Sequence, residues 1–157
     1  IYTGGFGLGY RYLTSAGIFI DAGFGMNKAG ATMVYDDSNY RWDLHYAGLK
    51  LGGGYMLKGE SISPFIGLSG YFSFLLTGFQ TINNEDFDIK EAGAIKKNDF
   101  GILITPGVQL KVSENVSSFA GLNYMMGLQN LEYDEGQKTK NSAFGLTIGL
   151  SFTFSKQ

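Results

Sequence analysis

The sequence predicts an all-β chain: antiparallel, up-and-down strands forming a transmembrane β-barrel. Three observations carry that expectation: one strictly alternating segment, an unusual composition, and connections that alternate short and long. The segment is Ala143 to Phe154, with Phe144, Leu146, Ile148, Leu150, Phe152 and Phe154 on one side and Gly145, Thr147, Gly149, Ser151 and Thr153 on the other. Strand side chains repeat every two residues, so one face is bulky and apolar and the other carries only glycine and hydroxyls. A strand with one face in water would usually carry Lys, Glu or Arg there. Here the small face is expected to look inward and the six bulky side chains to meet lipid. Roughly 10 residues is the length a tilted strand needs to cross a bilayer.

Composition agrees. The 157 residues suit one domain, 1–157, and include Gly 24, Phe 13, Tyr 10, Pro 2 and Cys 0. So much glycine disfavours a helical bundle, since each interior Gly costs about 1 kcal/mol of helix relative to Ala. Charged residues are 17%, below the roughly 25% of soluble domains, while mean hydropathy sits near zero because alternation hides apolar content from an average. No run approaches the roughly 18 apolar residues of a membrane helix. A net charge of -2 gives no basic excess for nucleic acid, and the absence of cysteine excludes a disulfide scaffold and thiolate-bound metal. No cofactor is implied. The chain opens at Ile1 with no leader pattern, which reads as a mature or truncated chain.

Taken in order, Ile1 to Leu13 alternates, turns at Thr14-Ser15-Ala16, and pairs with Gly17 to Asn27 as a hairpin. Lys28 to Asn39, with Asp36-Asp37-Ser38-Asn39, reads as a long loop. Tyr40 to Leu57 is a strand whose phase slips near Ala47-Gly48, the signature of a β-bulge. After Lys58 to Ser61 comes Pro64 to Thr77, then a charged loop from Gly78 to Asn98. Asp99 to Val112 alternates around Pro106, a residue usually confined to edge strands. Ser113-Glu114-Asn115 turns into Val116 to Gln129, Leu131 to Asn141 is the third long loop, and the Ala143 segment closes the chain. In outer-membrane barrels short turns are periplasmic and long loops extracellular.

That walk yields seven strands, whereas bacterial single-chain barrels have even numbers. An open sheet in lipid leaves unpaired backbone groups at several kcal/mol each. The expectation is therefore eight strands, with an N-terminal one upstream of Ile1. Direct pairing of the first and seventh strands, which would run parallel, is the other closure.

The alternation also assigns side chains. Arg11, Asp21, Asp43, His45, Lys50, Gln109, Lys111 and Asn123 are expected in the lumen, because a midplane Arg or Lys facing lipid would cost about 2–4 kcal/mol. In an eight-stranded barrel side chains about fill the interior, so these groups are expected to pair and plug it. Tyr10, Tyr12, Tyr55, Phe152 and Phe154 gather at the short-turn ends, and Tyr2, Tyr40, Trp42, Phe79, Phe100 and Phe144 toward the long loops. Two aromatic belts are what the two membrane interfaces select.

Several segments, in this order and spacing, resemble the bacterial outer-membrane β-barrel family called PorT-like. They are His45-Tyr46-Ala47-Gly48-Leu49-Lys50-Leu51-Gly52, Pro64-Phe65-Ile66-Gly67-Leu68-Ser69-Gly70-Tyr71, Asp99-Phe100-Gly101-Ile102, Leu122-Asn123-Tyr124-Met125-Met126-Gly127-Leu128 and Asn141-Ser142-Ala143-Phe144. The resemblance spans about two thirds of the chain. It implies an integral protein of the outer membrane of a diderm bacterium, one further strand ahead of Ile1, and no catalytic motif. The family often has a proline where Leu49-Lys50 stands here.

The expected role is non-enzymatic: a structural or accessory subunit of an envelope complex, or a loop-mediated binder. Its partners would be outer-membrane lipid and other outer-membrane or periplasmic proteins. A small-solute channel would need a wet path past the lumen charges. A lipid A-modifying enzyme would need His45, Ser38 and Asp37 to converge. A lipocalin-like carrier would reverse the polarity of the faces. Asn83 to Asp88 lacks the glycine and terminal glutamate of a calcium loop, and no helix pattern follows Gly4 to Gly9 as a phosphate loop requires.

Overall fold

A computed structural model of the chain describes residues 4–35, 38–93, 95–131 and 139–152. The alternating segments form β1 (Gly5–Leu13), β2 (Ile18–Tyr35), β3 (Ser38–Met56), β4 (Ile62–Ile82), β5 (Glu85–Asp88), β6 (Asn98–Lys111), β7 (Val116–Gly127) and β8 (Ser142–Phe152). They make one antiparallel sheet in the order β1-β2-β3-β4-β6-β7-β8, curled into a half-barrel. No helix among the described residues is long and apolar enough to cross a membrane. β4 pairs with β6 from Ile62 to Phe74 and with the short β5 from Phe79 to Ile82. β1 and β8 run in the same direction, and neither pairs with the other. Each strand thus lies beside its neighbour in sequence, with β5 inserted as a side branch.

Tight turns follow from local chemistry. The Gly17 amide donates to the Thr14 carbonyl (3.1 Å), and Gly17 takes the left-handed φ of 87 that this connection requires. At the far end Asn83 and Asn84 have φ of 47 and 71, the two positive values of a two-residue hairpin turn that asparagine tolerates. Pro106 sits within β6, where the ladder to β7 lapses at Thr105 and Pro106 and resumes at Gly107. A strand can hold proline where its partner asks for no amide.

Two stretches read as loops are largely sheet. β2 continues eight residues past Asn27 and pairs with β3 without interruption, from Ile18↔Tyr55 to Tyr35↔Ser38. β4 runs on to Ile82 and folds back as β5. The bulge also lies elsewhere than Ala47-Gly48. His45 opposes Thr77 while Tyr46 opposes Leu75, so the extra residue is Leu76 on β4. The Lys90 ammonium donates to the freed Leu76 carbonyl. Leu75 is buried on the concave side while Leu76 and Thr77 in succession are exposed, the doubling on one side that a bulge produces.

The two faces differ sharply. On the convex side Leu8, Ile20, Phe24, Leu51, Ile66, Leu68, Phe72, Leu122, Leu146 and Ile148 stand exposed, with Phe144 at 83%. On the concave side four large rings each lie over a glycine directly opposite: Phe19 over Gly54, Phe65 over Gly107, Tyr71 over Gly101 and Phe119 over Gly149. A β-carbon on Gly107 or Gly149 would come within 2.5 Å of the facing ring. Those missing side chains leave the space the aromatics fill. Phe19, Met56 and Phe65, with Phe119 against them, form the lower cluster; Leu44, Tyr46, Leu75 and Ile89, with Ala29, Trp42 and Ile95, form the upper one.

Candidate functional site

The lower cluster carries a buried ion pair. Arg11 and Asp21 are directly opposed on β1 and β2, and the guanidinium meets the carboxylate at 3.1 Å. Asp21 is buried, and Ser69 on β4 donates to its second oxygen at 3.4 Å. The guanidinium also lies 4.0 Å from the centre of the Phe19 ring and 5.0 Å from that of Phe65. Ion pair, hydroxyl and ring faces together compensate a charge taken out of bulk water.

Two more polar groupings follow along the concave face. Asp99, 2% exposed, accepts from the Tyr71 hydroxyl at 3.1 Å and from the Asn141 amide at 2.8 Å. Thr105 donates to Asn123 at 2.7 Å, and the Asn123 amide donates to Thr147, linking β6, β7 and β8. The Lys50 stem lies along Gly23. Gln109 and Lys111 occupy the same alternate set, opposite Phe119 and Ser117. Arg11, Asp21, Lys50, Gln109, Lys111 and Asn123 therefore all belong to the concave side.

Asp43 and His45 do not. With β3 in unbroken register against β2, they share the side of Leu49 and Leu51, while Leu44 and Tyr46 turn inward. The expectation failed because it placed the phase slip in β3. On this convex patch the Asp43 carboxylate meets Lys28 at 2.7 Å, Arg41 at 3.2 Å and His45 at 3.5 Å. The Lys28 ammonium holds the Asp43 carboxyl below the usual carboxylate range, against an opposing effect of burial. Trp42 is corrected too. It packs against the upper cluster and stacks on Tyr40, with ring centres 6.0 Å apart, instead of standing in an outer belt. Tyr10, Tyr12, Tyr55 and Phe100 are exposed on the convex side, as are Leu146, Ile148, Leu150 and Phe152; Phe154 lies outside the described residues.

The residues of a hydrolytic constellation are apart. Ser38 is seven residues from His45 along β3, roughly 23 Å at strand rise, and its hydroxyl accepts from Asn83 at 3.2 Å. Asp37 lies outside the described residues. Asp86 accepts from the Thr81 hydroxyl at 2.6 Å, and Asp88 accepts from the amides of Lys90 and Glu91. These two carboxylates stitch the β4–β5 hairpin and its turn. Sequence reasoning overlooked Asp99 as a buried acid, although its parity with Gly101 already placed it inward.

By architecture the chain is a β-barrel-like antiparallel sheet with its apolar side turned outward. No protein-family model and no curated protein matches it, so its role is argued from geometry.

Proposed function

We propose that this chain is a non-enzymatic integral protein of the outer membrane of a diderm bacterium, of the kind its PorT-like resemblance implies. On this reading the sheet is the wall of an eight-stranded barrel whose convex side meets acyl chains. The observation that carries the reading is an inversion of polarity along β2, β3 and β4. The convex side is apolar through Phe24, Leu49 and Phe72 and then Met26, Ala47 and Phe74, and at the next step becomes Lys28, His45 and Thr77. At the same level the concave side changes the other way, from Asp21 and Ser69 below to Leu44, Tyr46, Leu75 and Ile89 above. A wall that leaves hydrocarbon for water must exchange its wet and dry faces there.

Membrane-spanning β1 and β8 would each need an edge partner, because lipid offers none to backbone groups. One strand ascending between them would be antiparallel to both and restore an even count. The ion pair and rings of the lower cluster occupy the concave side, which favours a plugged wall over a general pore. The sheet beyond the apolar band then stands outside the cell as a platform of β2, β3, β4 and β5, suited to a structural or accessory role in contact with other envelope or external proteins. Extraction tests the assignment: the protein should stay with outer membranes through salt and carbonate washes and need detergent to dissolve. Recovery as a monodisperse protein in plain buffer would overturn it and favour a soluble carrier.

A further inference from the structure

Asp99 is a buried acid without a counter-ion. It is 2% exposed, yet its two side-chain partners, the Tyr71 hydroxyl and the Asn141 amide, are neutral donors, and both bond the same oxygen, Oδ2. No Lys, Arg or His among the described residues pairs with it; the ion pairs there belong to Asp21 and Asp43. Its second oxygen, Oδ1, is enclosed and has no hydrogen-bond partner, and the same holds for the Tyr46 hydroxyl. Tyr46 is itself 2% exposed, and its hydroxyl lies within reach of the Asp99 charge with the Asn141 amide near both. Ser73, directly opposite Asp99, leaves Oδ1 unserved because its hydroxyl turns over the bare α-carbon of Gly48. A carboxylate so placed is costly unless something neutralises it.

We propose that Asp99 and Tyr46 hold an alkali cation on the concave side, with Asp99 Oδ1 and the Tyr46 hydroxyl oxygen as its protein ligands. Both donors are oxygen, which suits a hard cation over a soft transition metal. The charge count sets the valence. One carboxylate balances one positive charge, and among the described residues no three of His, Cys, Asp and Glu gather as a multi-carboxylate calcium site would require. Tyr71 and Asn141 hold the carboxylate through Oδ2 and leave Oδ1 to the ion. Tyr46 belongs to the upper cluster and Asp99 to β6, so the ion would tie that cluster to the far half of the sheet. A buried water would satisfy the same two atoms but leave the charge, and a proton on Asp99 would remove the charge with no ion. The inference rests on contacts of the concave side and is independent of the membrane assignment.

The test is urea unfolding of the full chain in detergent micelles, followed by Trp42 emission, at one ionic strength with choline chloride replaced stepwise by sodium or potassium chloride. An ion bound only by the folded state lowers the unfolding constant about tenfold for each tenfold rise in its concentration above the dissociation constant. At least one of the two alkali ions should do so. Asp99→Asn keeps the shape and drops the charge, and should abolish the dependence. Tyr46→Phe removes one ligand oxygen and should shift the dependence to higher cation concentration, an arm that holds even if the asparagine variant does not fold. An unfolding constant indifferent to both ions in the wild type overturns the proposal, since a proton or a water would then serve Asp99. A dependence that persists in Asp99→Asn, or is unmoved in Tyr46→Phe, overturns it as well, because the cation would act elsewhere.

Discussion

A ring facing a bare α-carbon is the unit from which the concave side is built. Four such pairs occur among the described residues, and each places the aromatic on one strand and the glycine on the next. Gly149→Ala would push its new methyl to 2.5 Å from the Phe119 ring, and overpacking of that kind costs about 1–3 kcal/mol. Urea unfolding in micelles should show that loss, and Phe119→Leu should recover much of it. Asp43 makes a second prediction at this scale. Its carboxyl is depressed in the folded protein by Lys28, so its contribution is present above the unfolded value of about 4 and is lost as pH falls through the lower folded value. The group is near the surface, so the effect is about 0.2–1 kcal/mol. The protection factors of amides in the β2–β3 hairpin, referred to the intrinsic exchange rate at each pH, should therefore fall in acid, and Asp43→Asn should remove that dependence.

At the scale of the strand, alternation states which residues share a side but not what lies on that side. In β8 the outward set was legible because only small residues oppose it, and in β2 and β4 the alternation held although Phe19, Phe65, Tyr71 and Leu75 stand among the small residues of the other face. In β3 the same logic misled. Trp42, Leu44 and Tyr46 are as bulky as Leu49, Leu51 and Tyr55, and keeping all six on one face demanded a phase slip the strand does not have. The face had changed meaning instead. The hairpin extension escaped notice because Lys28 to Tyr35 has no amphipathic pattern: Ala29, Gly30, Ala31 and Thr32 are too small to mark a side. Of the proposed lumen residues, Arg11 and Asp21 were legible as inward-facing but not as a pair, because a three-residue turn at Thr14 to Ala16 would set Arg11 opposite Phe19, whereas the register opposes it to Asp21. The side of Asp43 and His45 was not legible, because the bulge lies in the neighbouring β4 and β3 itself keeps one phase. Deleting Leu76 tests this account of the bulge. Leu75 already opposes Tyr46 and Thr77 already opposes His45, so without the extra residue the two become neighbours in regular alternation, and Gly78 keeps its concave place opposite Leu44 with the Ile89 amide on its carbonyl. Trp42 is the sole tryptophan, so its emission should keep its native wavelength if Leu76 is the extra residue, and a shift to the red would contradict that assignment.

For the molecule as a whole, the proposed membrane setting has the strands serve two solvents in succession. Over the lower span bulky residues face out and the polar pairs face in; above Met26, Ala47 and Phe74 the arrangement turns over, and a small apolar core holds the projecting sheet. One sheet with two opposite polarities has no rationale in a single uniform solvent, and both halves follow if hydrocarbon surrounds the lower one. A charge placed on the outer side should accordingly be costly: Ile148→Arg is expected to lower stability by about 2–4 kcal/mol if it lies near the midplane, measured by reversible unfolding in lipid vesicles.

Quenching by bromine-labelled acyl chains addresses the central claim most directly. In a Trp42→Phe background reconstituted into vesicles of brominated phospholipid, Ile148→Trp should be strongly quenched and Thr147→Trp should not, while native Trp42 should be spared in the unmodified protein. Equal quenching at 147 and 148, or quenching at 147 alone, would contradict the outward orientation of the apolar face and with it the membrane assignment.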